Sequence, residues 1–178
     1  MRDRRFIVAH RGGPLDKASH IDLARWAVDC AETVINYFEE ESDDVRPRNA
    51  LAVGRAWADG EVKTGIAMKA SAASHAAARQ AKSAAAISAA RAAAQAVATA
   101  HFADHSMGAL IYSMKALEAV GMDSRAEFTR QIARLPEHLR DQVASGVTDR
   151  ARRLSIPKSK EAEQGMGGQP ATQPRLED

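Results

Sequence analysis

The sequence predicts an all-α fold, and three features of its composition support this prediction. Between residues 66 and 103, 20 of the 38 residues are alanine, which has the highest helix propensity of all residues. Aromatic residues make up only 4% of the chain, and β-branched residues, which favour strands, are also sparse. Apolar residues recur at spacings of three and four in several stretches. We therefore expect a bundle of about six helices around a central alanine-rich helical hairpin.

The length of 178 residues predicts one domain. Alanine accounts for 38 residues, so the core has to gain its contacts through close approach of helix backbones. We expect a single helical domain over residues 1–156. Its first 18 residues are predicted to form an irregular arm, because Gly12, Gly13 and Pro14 interrupt any helix there. Residues 157–178 contain almost no large apolar side chain and are predicted to be a disordered C-terminal tail.

The first two helices are predicted from capping signals and apolar spacing. Ser19 or Asp22 is expected to cap the first helix, whose apolar positions continue to Phe38. Pro47 suits the first turn of the second helix, which Gly60 is expected to end.

The central hairpin is predicted from a length argument. Thr64 is expected to cap a helix, and a continuous helix from there to residue 120 would be about 85 Å long, too long for one domain of this size. We place the break at Ser83, which gives helices over residues 64–81 and 84–120. The second of these is apolar on two faces, and it is therefore predicted to be the central helix.

The last two helices begin at recognisable start signals. Ser124 followed by Glu127 has the pattern of a capping box and is expected to open the fifth helix. Pro136 is expected to open the sixth, in which Leu139, Val143 and Val147 have helical spacing.

Charge and cysteine content narrow the classes of function. The formal net charge is +2, so no strong electrostatic partner such as duplex DNA is expected, and the basic residues 150–153 are interpreted as a solvated helix end. The single cysteine, Cys30, is predicted to be a small core residue in a reducing compartment. No apolar run is long enough for a membrane span or a secretory signal, and we predict a cytoplasmic protein.

The clearest candidates for metal ligands are His101 and His105. Histidines at positions i and i+4 share one face of a helix, as in zinc-binding pairs. The predicted hairpin places His75 about 16 Å along the helix axis from His101, too far for a third ligand. Further ligands could come from His10, His20, Glu39 and Glu40, whose positions the sequence leaves open. The alternative is that both histidines are hydrogen-bonded members of the core. We expect no cofactor, and a divalent metal at this pair is the alternative.

An acidic segment follows the first predicted helix and consists of Glu39, Glu40, Glu41, Asp43 and Asp44. Negative charge at a helix C-terminus opposes the helix dipole. One interpretation is a solvated turn, because charge runs usually lie on the surface. The other is a docking patch for a basic partner protein, in which these five carboxylates are the partner-binding residues.

Residues 10–14, His-Arg-Gly-Gly-Pro, form a second candidate for binding. Successive backbone N–H groups and Arg11 would suit a phosphate or carboxylate. The alternative is an ordinary turn packed against the bundle, since Gly and Pro are the commonest turn residues.

Three stretches resemble a known family when they are taken in order. They are residues 5–15 (RFIVAHRGGPL), residues 46–61 (RPRNALAVGRAWADGE) and residues 98–109 (ATAHFADHSMGA) followed by Tyr112, Lys115 and Ala116. Over about residues 5–120 the chain resembles the Imm-five-like putative immunity proteins of bacterial polymorphic toxin systems. The resemblance implies an all-helical protein that protects its producer by binding a cognate toxin. It assigns no catalytic residue. The absence of a catalytic set in the sequence favours a non-catalytic mode of action.

Two further hypotheses belong to other functional classes. One is a metal-binding helical protein or a metal-dependent enzyme that uses His101 and His105. The other is a nucleic-acid-associated module that uses Arg4, Arg5 and residues 150–153, which the near-neutral charge disfavours. The alanine seam is compatible with closure inside one chain or between two copies, so the sequence leaves open whether the protein is a homo-oligomer.

Overall fold

The computed structural model of the protein describes residues 3–155, and this range is all-α. It contains eight α-helices and no strand. The helices are α1 (Lys17–Glu32), α2 (Asn36–Glu39), α3 (Arg46–Ala58), α4 (Thr64–Ala78), α5 (Ala84–Ala98), α6 (His105–Ala119), α7 (Ser124–Arg134) and α8 (Glu137–Ser155). The all-α prediction is confirmed, while the predicted disordered tail, residues 157–178, lies outside the described residues.

Helix α5 lies at the centre of the bundle. It packs against α1, α2, α3, α4 and α6. Ten of its fifteen residues are buried: Ala85, Ala86, Ala89, Ala90, Ala92, Ala93, Ala94, Ala96, Val97 and Ala98. A helix that is buried around most of its circumference belongs in the middle of a bundle, so the prediction of an alanine-rich centre is confirmed for this helix.

The helices around α5 approach it closely enough for side chains to bond its backbone. The hydroxyl of Ser74 donates to the carbonyl of Ala90 at 2.8 Å, and that of Ser71 donates to the carbonyl of Ala94 at 3.0 Å. A Cβ added to Gly54 of α3 would lie 2.9 Å from a methyl carbon of Val28. Small residues are therefore what permits this spacing between helices.

A second core of larger side chains forms between α1, α6, α7 and α8. Here the N-terminal residues Phe6, Val8 and Leu15 are buried against this core. Two 3₁₀ turns, Arg4–Phe6 and Ala9–Arg11, shape this segment. The predicted arm is thus irregular in backbone but is part of the packed interior.

The predicted helix over residues 84–120 is wrong, because the structure divides it into α5 and α6. Residues 99–104 form a turn between them. Two backbone carbonyls in this turn accept side-chain hydrogen bonds from distant segments, Thr99 from His20 and Asp104 from Arg150. The predicted break at Ser83 is confirmed: α4 ends at Ala78, and the Ser83 hydroxyl accepts the N–H of Ala86 at 3.1 Å.

The predicted caps of the first helix are also wrong. The carboxylate of Asp16 caps α1 by accepting the N–H of Ser19 at 2.8 Å, so the helix begins earlier than expected. It ends at Glu32, and a separate short helix, α2, carries Phe38 into the core. The apolar spacing continues across the break, which hides it from a periodicity argument.

Two further capping predictions fail. At α7 the cap is Asp123, whose carboxylate accepts the N–H of Arg125, while Glu127 is buried and accepts the side-chain amide of Gln131. At α4 no side chain caps the helix, and Thr64 accepts the indole N–H of Trp57 instead. In both cases another side chain bonds the group that the local pattern assigned to a cap.

The close packing around Gly54 generates a prediction. We expect Gly54→Val to lower the free energy of unfolding by about 1–3 kcal/mol, because its side chain would overlap Val28 and meet the backbone of Val97. Gly65→Val is the matched control, since a Cβ at Gly65 meets open space. Urea unfolding of both variants tests this, and equal stabilities would contradict the packing that we describe.

Candidate functional site

A cleft with a volume of about 710 Å³ lies at the C-terminal end of α5. Fifteen residues line it, and ten of them come from residues 5–15, 46–61 and 98–109. These stretches are far apart in the chain, and the fold brings them together around one space. We therefore treat this cleft as the candidate functional site.

His20 lies in the wall of the cleft and is buried. Its Nε2 lies 2.6 Å from the carbonyl oxygen of Thr99. Because a carbonyl only accepts, Nε2 carries the proton, and the neutral ring has its lone pair on Nδ1. Burial lowers the pKa of His20, the hydrogen bond to Thr99 opposes this, and the nearby His10 and Arg11 add to the lowering. The ring is therefore held in its neutral form.

Trp57, from the end of α3, packs against His20 with 5.0 Å between ring centroids. Its indole N–H donates to the hydroxyl of Thr64 at 3.1 Å, which fixes the ring across the α3–α4 connection. Asp59 lines the cleft but already pairs with Arg25 of α1 at 2.8 Å.

The N-terminal loop contributes side chains to the cleft rather than backbone donors. The N–H of Gly12 donates to Ala9 at 2.9 Å, and that of Gly13 donates to Val8 at 3.2 Å. The interpretation of residues 10–14 as a backbone anion loop is therefore wrong, because these two N–H groups are already bonded. The side chains of His10 and Arg11 do line the cleft, and the Arg11 guanidinium lies 4.4 Å from the ring centre of Phe102.

The two histidines predicted as metal ligands do not share a helix face. His101 lies in the turn between α5 and α6 and lines the cleft, whereas His105 is the first residue of α6. His105 Nδ1 bonds the side-chain oxygen of Gln95 at 2.8 Å. Within residues 3–155 no group of three or more His, Cys, Asp or Glu side chains is placed to hold a metal ion. The helical-pair geometry is thus wrong, while metal binding itself stays a prediction.

The acidic segment lies at the opposite end of α5 from the cleft, and most of its charges are used within the molecule. The carboxylate of Glu41 accepts the backbone N–H groups of Lys82 and Ser83, just before α5 begins. These hydrogen bonds lower the pKa of Glu41. Glu41 thereby places negative charge at the N-terminus of another helix, where the helix dipole favours it.

The remaining acidic side chains differ in how they are paired. Glu39 bonds Arg48 through both carboxylate oxygens, and Asp44 pairs with Arg46. Glu40 accepts only a weak 3.4 Å bond from Asn36, and Asp43 has no side-chain partner among the described residues. Glu40 and Asp43 are therefore the members of the segment whose charge is available to a partner.

Cys30 and Arg150 have structural roles. Cys30 is fully buried, and burial raises the pKa of its thiol, so the prediction of a core residue is confirmed. Arg150 donates to the carbonyl of Asp104 at 2.8 Å and so supports the turn beside the cleft.

Sequence reasoning missed Lys17, the position of His20 beside Trp57 and the cleft itself. The available signal was the set of three stretches that carry the family resemblance. In the fold these stretches meet at one end of the bundle, but the sequence alone does not place them there.

Comparisons with known proteins identify a family. Residues 13–138, which are 126 of the 178 residues, match the family model described as Imm-5 like putative immunity protein. No curated protein and no solved structure matches the chain. No helix within residues 3–155 is long and apolar enough to cross a membrane.

The buried state of His20 predicts a pH-dependent stability. Its pKa is lowered in the folded protein, so below the ordinary histidine value of about 6.5 the unfolded chain binds a proton that the folded ring resists. The free energy of unfolding should therefore fall as the pH is lowered through this value. Burial lowers the pKa of His75 too, so it contributes with the same sign.

Urea unfolding at neutral and mildly acidic pH measures this effect. His20→Gln keeps an N–H donor for Thr99 but removes the titration, so its stability should depend less on pH than that of the wild type. His75→Gln separates the second contribution. An unchanged pH dependence in both variants would contradict the neutral, buried state of these rings.

The separation of His101 and His105 into different elements gives a prediction about metal. We expect protein purified without a histidine tag to contain no stoichiometric zinc, iron or nickel, measured by elemental analysis. A stoichiometric metal that is lost in His101→Ala would contradict this and would favour the metal-binding alternative.

Proposed function

The chain belongs to the Imm-5 like putative immunity protein family, and we propose that it binds and neutralises a cognate protein toxin without catalysis. The observation that carries this proposal is the family match over residues 13–138, which includes most of the described helices. We place the protein in the cytoplasm of a bacterium, where an immunity protein would meet a toxin that acts inside the cell.

We propose that the acidic segment contributes to docking through Glu40 and Asp43. Both are exposed, and neither forms an ion pair with the described residues. The other three carboxylates already bond cations or backbone N–H groups of the same chain, so they offer less to a partner. A basic patch on the toxin would complement these two charges.

The overall charge limits which toxins fit this proposal. A net charge of +2 disfavours a strongly basic nuclease, because inhibitors of such enzymes need an extensive acidic surface. The local acidic segment suits a toxin with a small basic patch, or one that acts on a substrate other than nucleic acid.

A growth and binding experiment tests the proposal. Each gene adjacent to this one is expressed alone and together with this chain, in search of a product that stops growth. We expect co-production to restore growth and the purified proteins to form a complex. In the complex, the double variant Glu40→Lys and Asp43→Lys should weaken affinity by about tenfold, or ~1.4 kcal/mol, through lost attraction and added repulsion.

Glu61→Lys is the matched control, because it reverses an exposed acidic residue outside the segment. Glu41 is avoided, since its carboxylate bonds the backbone before α5 and its loss would affect folding. Restored growth with unchanged affinity in the double variant would remove the acidic segment from the docking surface. Failure of the chain to bind or protect against the toxin encoded beside it would contradict the proposed function for this pair.

A further inference from the structure

We propose that the cleft at the C-terminal end of α5 is a binding site for a small organic anion. In this proposal Arg11 and Lys17 receive a carboxylate or phosphate group, and the apolar wall beside Trp57 receives the rest of the ligand. The proposal goes beyond toxin binding and does not depend on it.

The shape and lining of the cleft are those of a small-molecule site. Its volume of about 710 Å³ falls within the range of roughly 300–1,000 Å³ that is usual for such sites. Its wall combines seven polar or charged residues with apolar ones, among them Val8, Ile21, Trp57, Ala58, Val62 and Ala100. Apolar surface together with converging polar groups is the common architecture of a ligand pocket.

The charges in the cleft are unbalanced in favour of cations. Arg11 and Lys17 both line it, and neither has a carboxylate partner among residues 3–155. Among residues 3–155, Asp59 is the one carboxylate in the lining, and it already pairs with Arg25. An anionic group entering the cleft would therefore meet two cations without displacing an internal ion pair.

Arg11 is held in a defined position. Its guanidinium lies over the ring of Phe102, with 4.4 Å from its central carbon to the ring centre. Stacking of this kind leaves the edge of the guanidinium available for the paired hydrogen bonds that carboxylates and phosphates accept. The backbone of the neighbouring loop is already bonded at Gly12 and Gly13, so recognition falls to the side chains.

The two tryptophans provide a direct readout. Trp57 lies in the wall of the cleft, whereas Trp26 is buried elsewhere, with its indole N–H donating to the carbonyl of Gln131. In a ¹⁵N spectrum each gives one indole signal, and Trp57→Phe assigns them. A ligand in the cleft should move the Trp57 signal and leave that of Trp26 in place.

Four probes separate the contributions of charge and apolar contact: phenyl phosphate, benzoate, inorganic phosphate and the neutral benzyl alcohol. We expect phenyl phosphate or benzoate to move the Trp57 signal and to bind about tenfold more tightly than inorganic phosphate and benzyl alcohol. Equal binding of benzyl alcohol, or equal binding of inorganic phosphate, would overturn the assignment of an organic anion.

Single substitutions test the two cations. Arg11→Gln and Lys17→Gln should each weaken binding of the better anionic probe by about threefold to tenfold, and the double variant should abolish the titration. Arg4→Gln is the matched control, because Arg4 is an exposed cation of the same N-terminal segment that does not line the cleft. An unchanged Trp26 signal and thermal midpoint verify the fold of each variant.

The proposal would be overturned by unchanged affinity in both single variants. It would also be overturned if a probe shifted other signals of the ¹⁵N spectrum but not that of Trp57. Because no toxin is used, failure here leaves toxin binding untouched. Conversely, a toxin that fails to bind leaves the response of Trp57 to these probes unaffected.

Discussion

Close approach between α5 and its neighbours is the constraint on which the rest of the structure depends. Alanine on α5 and glycine at position 54 remove the bulk that normally separates helices, so serine hydroxyls of α4 reach the carbonyls of Ala90 and Ala94. The larger apolar side chains are concentrated in the second core around α6 and α8. The alanine-rich core therefore lies around α5, and the N-terminal segment packs against the second core beside the cleft.

The two candidate surfaces lie at opposite ends of α5, which is about 22 Å long at 1.5 Å per residue. Glu41 bonds the backbone immediately before the helix, while Ala100 and His101 line the cleft just after it. Most carboxylates of the acidic segment are paired within the molecule, whereas the cleft is concave and carries cations that lack carboxylate partners within residues 3–155. The two surfaces therefore suit different ligands, and occupancy of one leaves the other accessible.

The helical class, the turn at Ser83 and the buried face of α8 could be predicted from the sequence, because local propensity, capping and apolar spacing all agree there. The division between α5 and α6 could not, since no glycine or proline marks it. What supports that turn is His20 and Arg150, which bond the carbonyls of Thr99 and Asp104 from distant parts of the chain. The role of Glu41 was hidden for the same reason, because it bonds the backbone N–H of Lys82, 41 residues further along the chain. Glu127 was assigned to a cap, but it bonds Gln131 one turn further along the same helix. The cleft is lined largely by three stretches that are far apart in the chain, and they come together only in the folded protein.

A protein that neutralises a toxin by binding it inactivates one toxin per molecule, whereas a catalytic protein would inactivate many. The most direct measurement is a titration of the cognate toxin with increasing amounts of this protein, with the remaining toxin activity measured after incubation. A non-catalytic immunity protein predicts that activity falls in proportion to the amount added and reaches zero at equal amounts of the two proteins. Complete loss of activity at a small fraction of that amount would mean that each molecule inactivates many toxins, which would contradict binding as the mechanism.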